Sequence, residues 1–200
     1  AKAEGKKPKY IKVGHTGTLD PAATGLLVLL VGKKYTRQAP GLTKKDKFYE
    51  VEMTLGKVST TGDIEGEITE VSELQPDEQQ IKDALVAWTG NIMQIPPAFS
   101  AIKIDGQRAY DLARKGQAPQ MQPRPTKIYS LEFQSYKYPN VEFTAKVSSG
   151  TYIRSLVEDI GKQLQTGAYM PALRRTPYPP LSMPACCLKT SSSLVLGVPS

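Results

Sequence analysis

The sequence predicts an α+β fold, a mixed and largely antiparallel sheet flanked by helices. Strand and helix signals alternate without a regular βαβ beat, strand signals recur in hairpin-like pairs, and two amphipathic helices stand far apart in the chain. Residues 48–56 (FYEVEMTLG) set Tyr49, Val51, Met53 and Leu55 on one face and Glu50, Glu52 and Thr54 on the other, the alternation of a half-buried strand. Residues 77–89 repeat Ile81, Ala84, Leu85 and Trp88 at helical spacing, with Pro76 near the start and Gly90 as the expected C-cap. A shorter helix is expected over 107–115, stopped by Gly116, after which Pro119, Pro123 and Pro125 impose an extended, irregular path. Two strands, 127–136 and 141–148, follow with a turn at Pro139 and Asn140 between them. Ile153, Leu156, Val157, Ile160 and Leu164 then share one face of a helix starting near Arg154, with Gly150 as the hinge before it.

Two hundred residues, 40% of them apolar, suffice for one compact domain without staples. The two cysteines, Cys186 and Cys187, are adjacent and supply no disulfide framework, so a reducing compartment is expected. The first twelve residues are polar and basic, and the longest aliphatic run, Leu26 to Val31, is too short to cross a bilayer. These features predict a soluble protein with no membrane partner in the cytoplasm, with an organellar address left open.

Charge is segregated along the chain. Residues 1–49 carry 11 Lys/Arg against 3 Asp/Glu, residues 50–95 carry 2 against 10, and residues 96–200 carry 13 against 6. Two basic blocks that share a face would make a polyanion-binding surface, with the acidic block directed elsewhere; an unevenly charged solvated surface is the plain alternative. Arg108, Arg114, Lys115, Arg124 and Lys127 cluster within the proline-rich stretch.

The single histidine, His15, and the distant cysteine pair do not make up an ordinary zinc ligand set, and no metal is expected. The loop from Gly14 to Gly17 lacks both the phosphate-loop spacing and the dinucleotide-turn spacing, so no nucleotide cofactor is expected either. Asp20 sits in that loop, between Leu19 and Pro21 and ahead of an apolar run; it reads either as an ordinary turn aspartate or as a carboxylate with chemistry to do. Arg154, two residues after Tyr152 at the mouth of an apolar helix, reads as a surface arginine, and its place beside a glycine turn adds only slightly to the case for a functional role.

Taken together, these segments resemble the tRNA pseudouridine-55 synthase family. The stretch Gly14-His15-Thr16-Gly17-Thr18-Leu19-Asp20-Pro21, with Thr24-Gly25, looks like the catalytic-aspartate motif, and Lys47-Phe48-Tyr49 looks like the lysine/aromatic-tyrosine strand. Ile95-Pro96-Pro97, Ser100-Ala101-Ile102-Lys103, Gly106 and Tyr110 resemble the opening of an RNA-gripping insertion, and Arg124-Pro125 its close. Gly150-Thr151-Tyr152-Ile153-Arg154-Ser155-Leu156, with Asp159-Ile160-Gly161, is similar to the arginine motif, and Leu173-Arg174-Arg175-Thr176 to the segment after it. These motifs follow in the family's order over residues 13–176.

The resemblance implies a catalytic domain over 1–188 with its insertion at about 96–127 and a tail over 189–200. It implies a stand-alone, monomeric enzyme that isomerises uridine 55 in the T-loop of transfer RNA without a cofactor; a non-catalytic tRNA-binding or folding chaperone is the alternative. Asp20 would attack the uridine or its ribose, Arg154 would hold that carboxylate, and Tyr49 would stack on the target base. Tyr152 and Leu173 would line the pocket, His15 would sit against flipped-out nucleotides, and Arg108, Arg114 and Lys115 would bind phosphates of the T-arm. That chemistry suits the residue types: moving a base from a nitrogen to a carbon linkage needs a nucleophile and a dry pocket that retains the freed base, with no outside oxidant. A target base inside a folded loop must also be flipped onto a stacking surface.

The sequence departs from the family in three places. Ahead of Gly14 the family has a Lys-Pro-x-Gly strand and a helix, which are expected to be missing here. The run Lys33-Lys34-Tyr35-Thr36-Arg37 does not repeat the family's small-Thr-Lys pattern, and no C-terminal RNA-binding domain is expected after Leu188.

Overall fold

The computed structural model describes residues 11–177 apart from 105 and 118, so the basic lead-in over 1–10, the cysteine pair and the 189–200 tail lie outside the described residues. In chain order the elements are β1 (Val13–His15), β2 (Thr24–Gly25), β3 (Leu29–Val31), α1 (Lys33–Thr36), α2 (Ala39–Thr43), β4 (Lys47–Leu55), β5 (Lys57–Ser59) and β6 (Ile68–Glu70). They continue with α3 (Glu78–Ala87), β7 (Gly90–Gln94), β8 (Lys103–Ile104), β9 (Gln107–Arg108), α4 (Ala109–Arg114), β10 (Arg124–Lys137), β11 (Asn140–Val147), α5 (Ile153–Gln163) and β12 (Ala168–Thr176).

The main sheet runs β2-β12-β4-β11-β10-β7, with β2 parallel to β12 and the other neighbours antiparallel. This is the mixed, largely antiparallel α+β arrangement that the sequence predicts. The inward row Tyr49, Val51, Met53 and Leu55 of β4 meets Val141, Phe143, Ala145 and Val147 of β11, and α3 and α5 cover that face with Ile81, Leu85, Leu156, Val157 and Ile160. Each such aliphatic or aromatic side chain contributes on the order of 1.5–3 kcal/mol by leaving water. The outward positions Glu50, Glu52 and Glu142 stay exposed, as the pleat requires.

Local chemistry sets the helix ends. Asp77 accepts a hydrogen bond from the Gln80 backbone N–H at 2.8 Å while its own N–H donates to Gln80 Oε1 at 2.8 Å, a reciprocal cap that starts α3. The expected C-cap at Gly90 is corrected: α3 ends at Ala87 with Trp88 as its cap, and Gly90, at φ +115°, opens β7. A residue free to adopt positive φ turns the chain directly from helix into strand there.

The helix expected over 107–115 is also shorter, because residues 107–108 pair with β8 as a small hairpin and Lys115 is the helix cap. Strand β10 starts at Arg124, three residues earlier than expected. Pro125 is tolerated because residues 124–127 pair with β7 alone, and pairing with β11 begins only at Ile128. Strand β12 was not anticipated. Pro171 and a register shift between Tyr169 and Ala172 break its alternation, so pairing with β4 decides its conformation.

Candidate active site

Three elements converge on one end of the sheet: the loop after β1, the start of β4 and the first turn of α5. The buried amide of Gln94, at the end of β7, donates to the Tyr152 carbonyl at 2.9 Å and accepts from the Tyr152 N–H at 2.8 Å, which fixes where α5 begins. Ser155 adds a hydrogen bond from its hydroxyl to the Ile95 carbonyl at 2.9 Å. Arg154 is thereby aimed away from the helix into a polar nest. Its Nη2 donates to Asp20 Oδ1 at 2.9 Å and to the Phe99 carbonyl at 3.0 Å, and its Nη1 donates to the Thr61 carbonyl at 3.1 Å and meets Asp63 Oδ2 at 3.4 Å.

Burial separates the two carboxylates. The Arg154 and Asp63 side chains are 6% and 5% exposed, whereas Asp20 keeps 30% of its side-chain surface open. Asp63 is held in turn by the Thr61 hydroxyl at 2.6 Å and the Glu65 N–H at 3.0 Å. A planar guanidinium with several donors suits such a nest better than an ammonium would.

A second buried guanidinium holds the loop that carries Asp20. Arg175 Nε donates to the Leu26 carbonyl at 2.7 Å, Nη2 to the Gly17 carbonyl at 3.2 Å and Nη1 to the Thr18 carbonyl at 3.5 Å. Gly25, at φ +97°, lets the loop's return strand pass against β12, since a Cβ there would overlap the Arg175 carbonyl.

Asp20, Tyr49, Arg108, Arg114, Tyr152, Arg154 and Leu173 all line one cavity of about 610 Å³. Tyr49 both belongs to the hydrophobic core and forms part of the cavity wall. Burial pushes its phenol pKa up, against the pull of the Arg175 charge and hydrogen bond. Burial likewise raises the Tyr152 phenol and, with the nearby Arg175 charge, lowers Lys47, whose ammonium donates to the Thr43 and Lys45 carbonyls at 2.9 and 3.0 Å.

Two sequence-predicted site residues stand outside the cavity. His15 is exposed at the end of β1, where its Nδ1 accepts from the Gly17 N–H at 3.3 Å, and Lys115 is exposed just beyond α4. Asp63, Arg175 and the Phe99 carbonyl were not anticipated. Asp63 lies in a Thr-Gly-Asp turn that looks like any surface turn, and a backbone carbonyl leaves no mark in a sequence. Among the described residues no group of three or more His, Cys, Asp or Glu stands where it could hold a metal ion, and no helix is long and apolar enough to cross a membrane.

The TruB family pseudouridylate synthase (N terminal domain) pattern matches residues 5–153. The chain belongs to the TruB family. Among TruB-family relatives, the tRNA pseudouridine synthase B of Burkholderia mallei (strain NCTC 10247) is 44% identical over 172 residues, which cover 86% of this chain and 57% of that protein. The tRNA pseudouridine synthase B of Protochlamydia amoebophila (strain UWE25) is 44% identical over 165 residues, covering 82% of this chain and 63% of that protein. The chain thus spans less than two thirds of the length of these relatives.

Of solved structures, the one described as "Crystal Structure of a Cbf5-Nop10-Gar1 Complex" superposes with a TM-score of 0.59 at 30% identity, over 83% of this chain and 40% of that chain. A second, "Structure of H/ACA RNP bound to a substrate RNA containing 2'-deoxyuridine", gives a TM-score of 0.55 at 27% identity, over 83% of this chain and 38% of that chain.

Proposed function

We propose that this chain is the catalytic part of a pseudouridine synthase that isomerises uridine 55 in the T-loop of transfer RNA. The observation that carries the reading is Asp20: one carboxylate oxygen is committed to the buried Arg154, while the side chain stays partly open to a cavity walled by Tyr49, Tyr152 and Leu173. In the net reaction the C1′–N1 bond breaks, a C1′–C5 bond forms, the C5 proton leaves and N1 gains one, so no oxidant or reductant is needed. Asp20 is the nucleophile, towards either the base or the ribose. Arg154 keeps it aimed, because a charge-assisted hydrogen bond of 2.9 Å fixes the orientation of the carboxylate. Tyr49 supplies the stacking surface for the flipped base, and Tyr152 and Leu173 close the pocket against water.

Arg108 and Arg114 at the cavity, with Lys115 beyond α4, meet phosphates of the T-arm, and His15 packs against the nucleotides displaced with the target. The catalytic domain extends over 1–188 with its insertion at about 96–127, and it acts as a monomer in the cytoplasm.

The test is Asp20→Asn, which preserves size and most hydrogen bonding while removing the charge. Wild-type and variant protein are incubated with an unmodified T-arm hairpin, pseudouridine is mapped with carbodiimide, and binding is titrated separately. The variant is expected to bind and form no pseudouridine. Pseudouridine formation by the variant at the wild-type rate removes Asp20 from the mechanism. Binding without isomerisation by the wild type replaces the enzyme with the tRNA-binding chaperone.

A further inference from the structure

The four-residue stem between Ile95 and Ser100 lies along the start of α5 and touches both α4 and the Asp20–Arg154 pair. Its near end is fixed by Gln94 and by the Ile95 carbonyl, through the hydrogen bonds to Tyr152 and Ser155. At its far end the Phe99 carbonyl accepts from Arg154 Nη2 at 3.0 Å, the same nitrogen that donates to Asp20. The next carbonyl, that of Ser100, accepts the Tyr110 N–H at 3.0 Å. The Phe99 and Tyr110 rings meet edge to face, with centroids 6.1 Å apart and planes at 74°. Across the Tyr110 ring lies the Arg114 guanidinium, 5.1 Å from its centroid. Two aromatic contacts and one carbonyl therefore link Arg114 to the guanidinium that bonds Asp20.

We propose that Tyr110 is a positioning residue: through Phe99 it holds the carbonyl that shares Arg154 with Asp20, so that seating of α4 on RNA and alignment of the nucleophile are coupled. This rests on the pseudouridine synthase reading above. When Arg114 engages a phosphate, the Tyr110 ring is pressed on Phe99, and the Phe99 carbonyl keeps Arg154 Nη2 in the geometry that leaves Asp20 facing the cavity. When the ring is absent, Phe99 loses its edge partner and the shared nitrogen loses a fixed acceptor, while Asp63 and the Thr61 carbonyl still anchor Nη1. The Tyr110 hydroxyl plays no part in this link, which depends on the ring.

The experiment compares Tyr110→Ala and Tyr110→Phe in single-turnover pseudouridine formation and in tRNA binding. Tyr110→Ala is expected to lower the rate of the chemical step about two- to tenfold, the rate equivalent of one edge-to-face contact, with Kd changed by less than about twofold. Tyr110→Phe restores the rate, and adding Phe99→Leu to Tyr110→Ala costs no more than either alone. A rise in Kd at unchanged rate would make the ring a direct RNA contact and overturn the proposal, as would additive effects of Phe99→Leu and Tyr110→Ala. The link is also read without any turnover, from the Arg154 side-chain NMR signals of the free protein. Tyr110→Ala is expected to shift them and Tyr110→Phe to leave them in place, and signals unmoved by Tyr110→Ala refute the link. If the wild type makes no pseudouridine, the enzymatic reading fails on its own, and these signals still decide the coupling.

Discussion

Replacing Arg175 by methionine tests whether the loop carrying Asp20 is held from the sheet side. The side chain is buried and gives two well-formed hydrogen bonds, to the Leu26 carbonyl at 2.7 Å and the Gly17 carbonyl at 3.2 Å, and a third contact of 3.5 Å to Thr18 that adds little. Hydrogen bonds from a charged donor contribute roughly 1.5–3 kcal/mol each, and relief of the guanidinium's desolvation offsets part of that, which leaves a loss of about 2–4 kcal/mol. For a chain of this size the Tm should fall by roughly 4–16 °C.

Function should suffer more than stability, because a displacement of about 1 Å at a reacting group can cost on the order of 10²-fold in rate. Arg175→Met is therefore expected to lower pseudouridine formation about 10- to 100-fold with little change in tRNA binding. Arg175→Lys keeps the charge but not the fork of donors, and falls between. The Tyr49 phenol, freed from the Arg175 charge, should titrate higher still. A methionine variant that melts within about 2 °C of the wild type and isomerises uridine at an unchanged rate would refute the reasoning, since the loop would then hold its place without those bonds.

Two further outcomes follow from charge. Burial raises the Glu158 pKa above 4.5, so the folded state binds that proton more tightly than the unfolded chain; its contribution is present below pH 4.5 and lost as pH rises through the raised value. Glu158→Gln should therefore gain Tm over the wild type between about pH 4 and pH 8, and an equal Tm difference at both pH values would count against it. Replacing Arg108, Arg114 and Lys115 together by glutamine should flatten the log–log salt dependence of RNA binding by about 0.7–0.9 for each phosphate no longer neutralised, whereas an unchanged slope would route the RNA elsewhere.

Periodic segments of this fold are legible in the sequence, and segments defined by distant partners are not. The row Tyr49, Val51, Met53, Leu55 announces β4, and Ile153, Leu156, Val157, Ile160 announces α5, because each buries one continuous face whose spacing follows from backbone geometry alone. Strand β12 carries a proline and two consecutive arginines, and only its pairing with β4 on one side and β2 on the other makes it a strand. The site divides in the same way. Asp20, Tyr49 and Arg154 are placed at one cavity, as the motif resemblance implies, whereas Asp63 lies in no quoted motif and Arg175 lies in one that assigns it no role, because both act on partners far along the chain.

The two carboxylates on Arg154 leave the buried guanidinium with a charge partner if Asp20 reacts as proposed. If Asp20 forms a covalent bond to the base or the sugar, it loses its negative charge, and an arginine paired with Asp20 alone would become an uncompensated buried cation, a state that costs about 3–5 kcal/mol when one partner of a buried pair is removed. Here Nη1 remains on Asp63 Oδ2 and the Thr61 carbonyl, and Nη2 keeps the Phe99 carbonyl, so only the bond to Asp20 changes. The more buried carboxylate carries the standing charge balance, and the more exposed one is left available for chemistry. In the proposed reaction Asp20 can therefore bond and be released without disturbing the seating of α5, because Asp63 and the Thr61 and Phe99 carbonyls still hold Arg154 when the bond to Asp20 is lost.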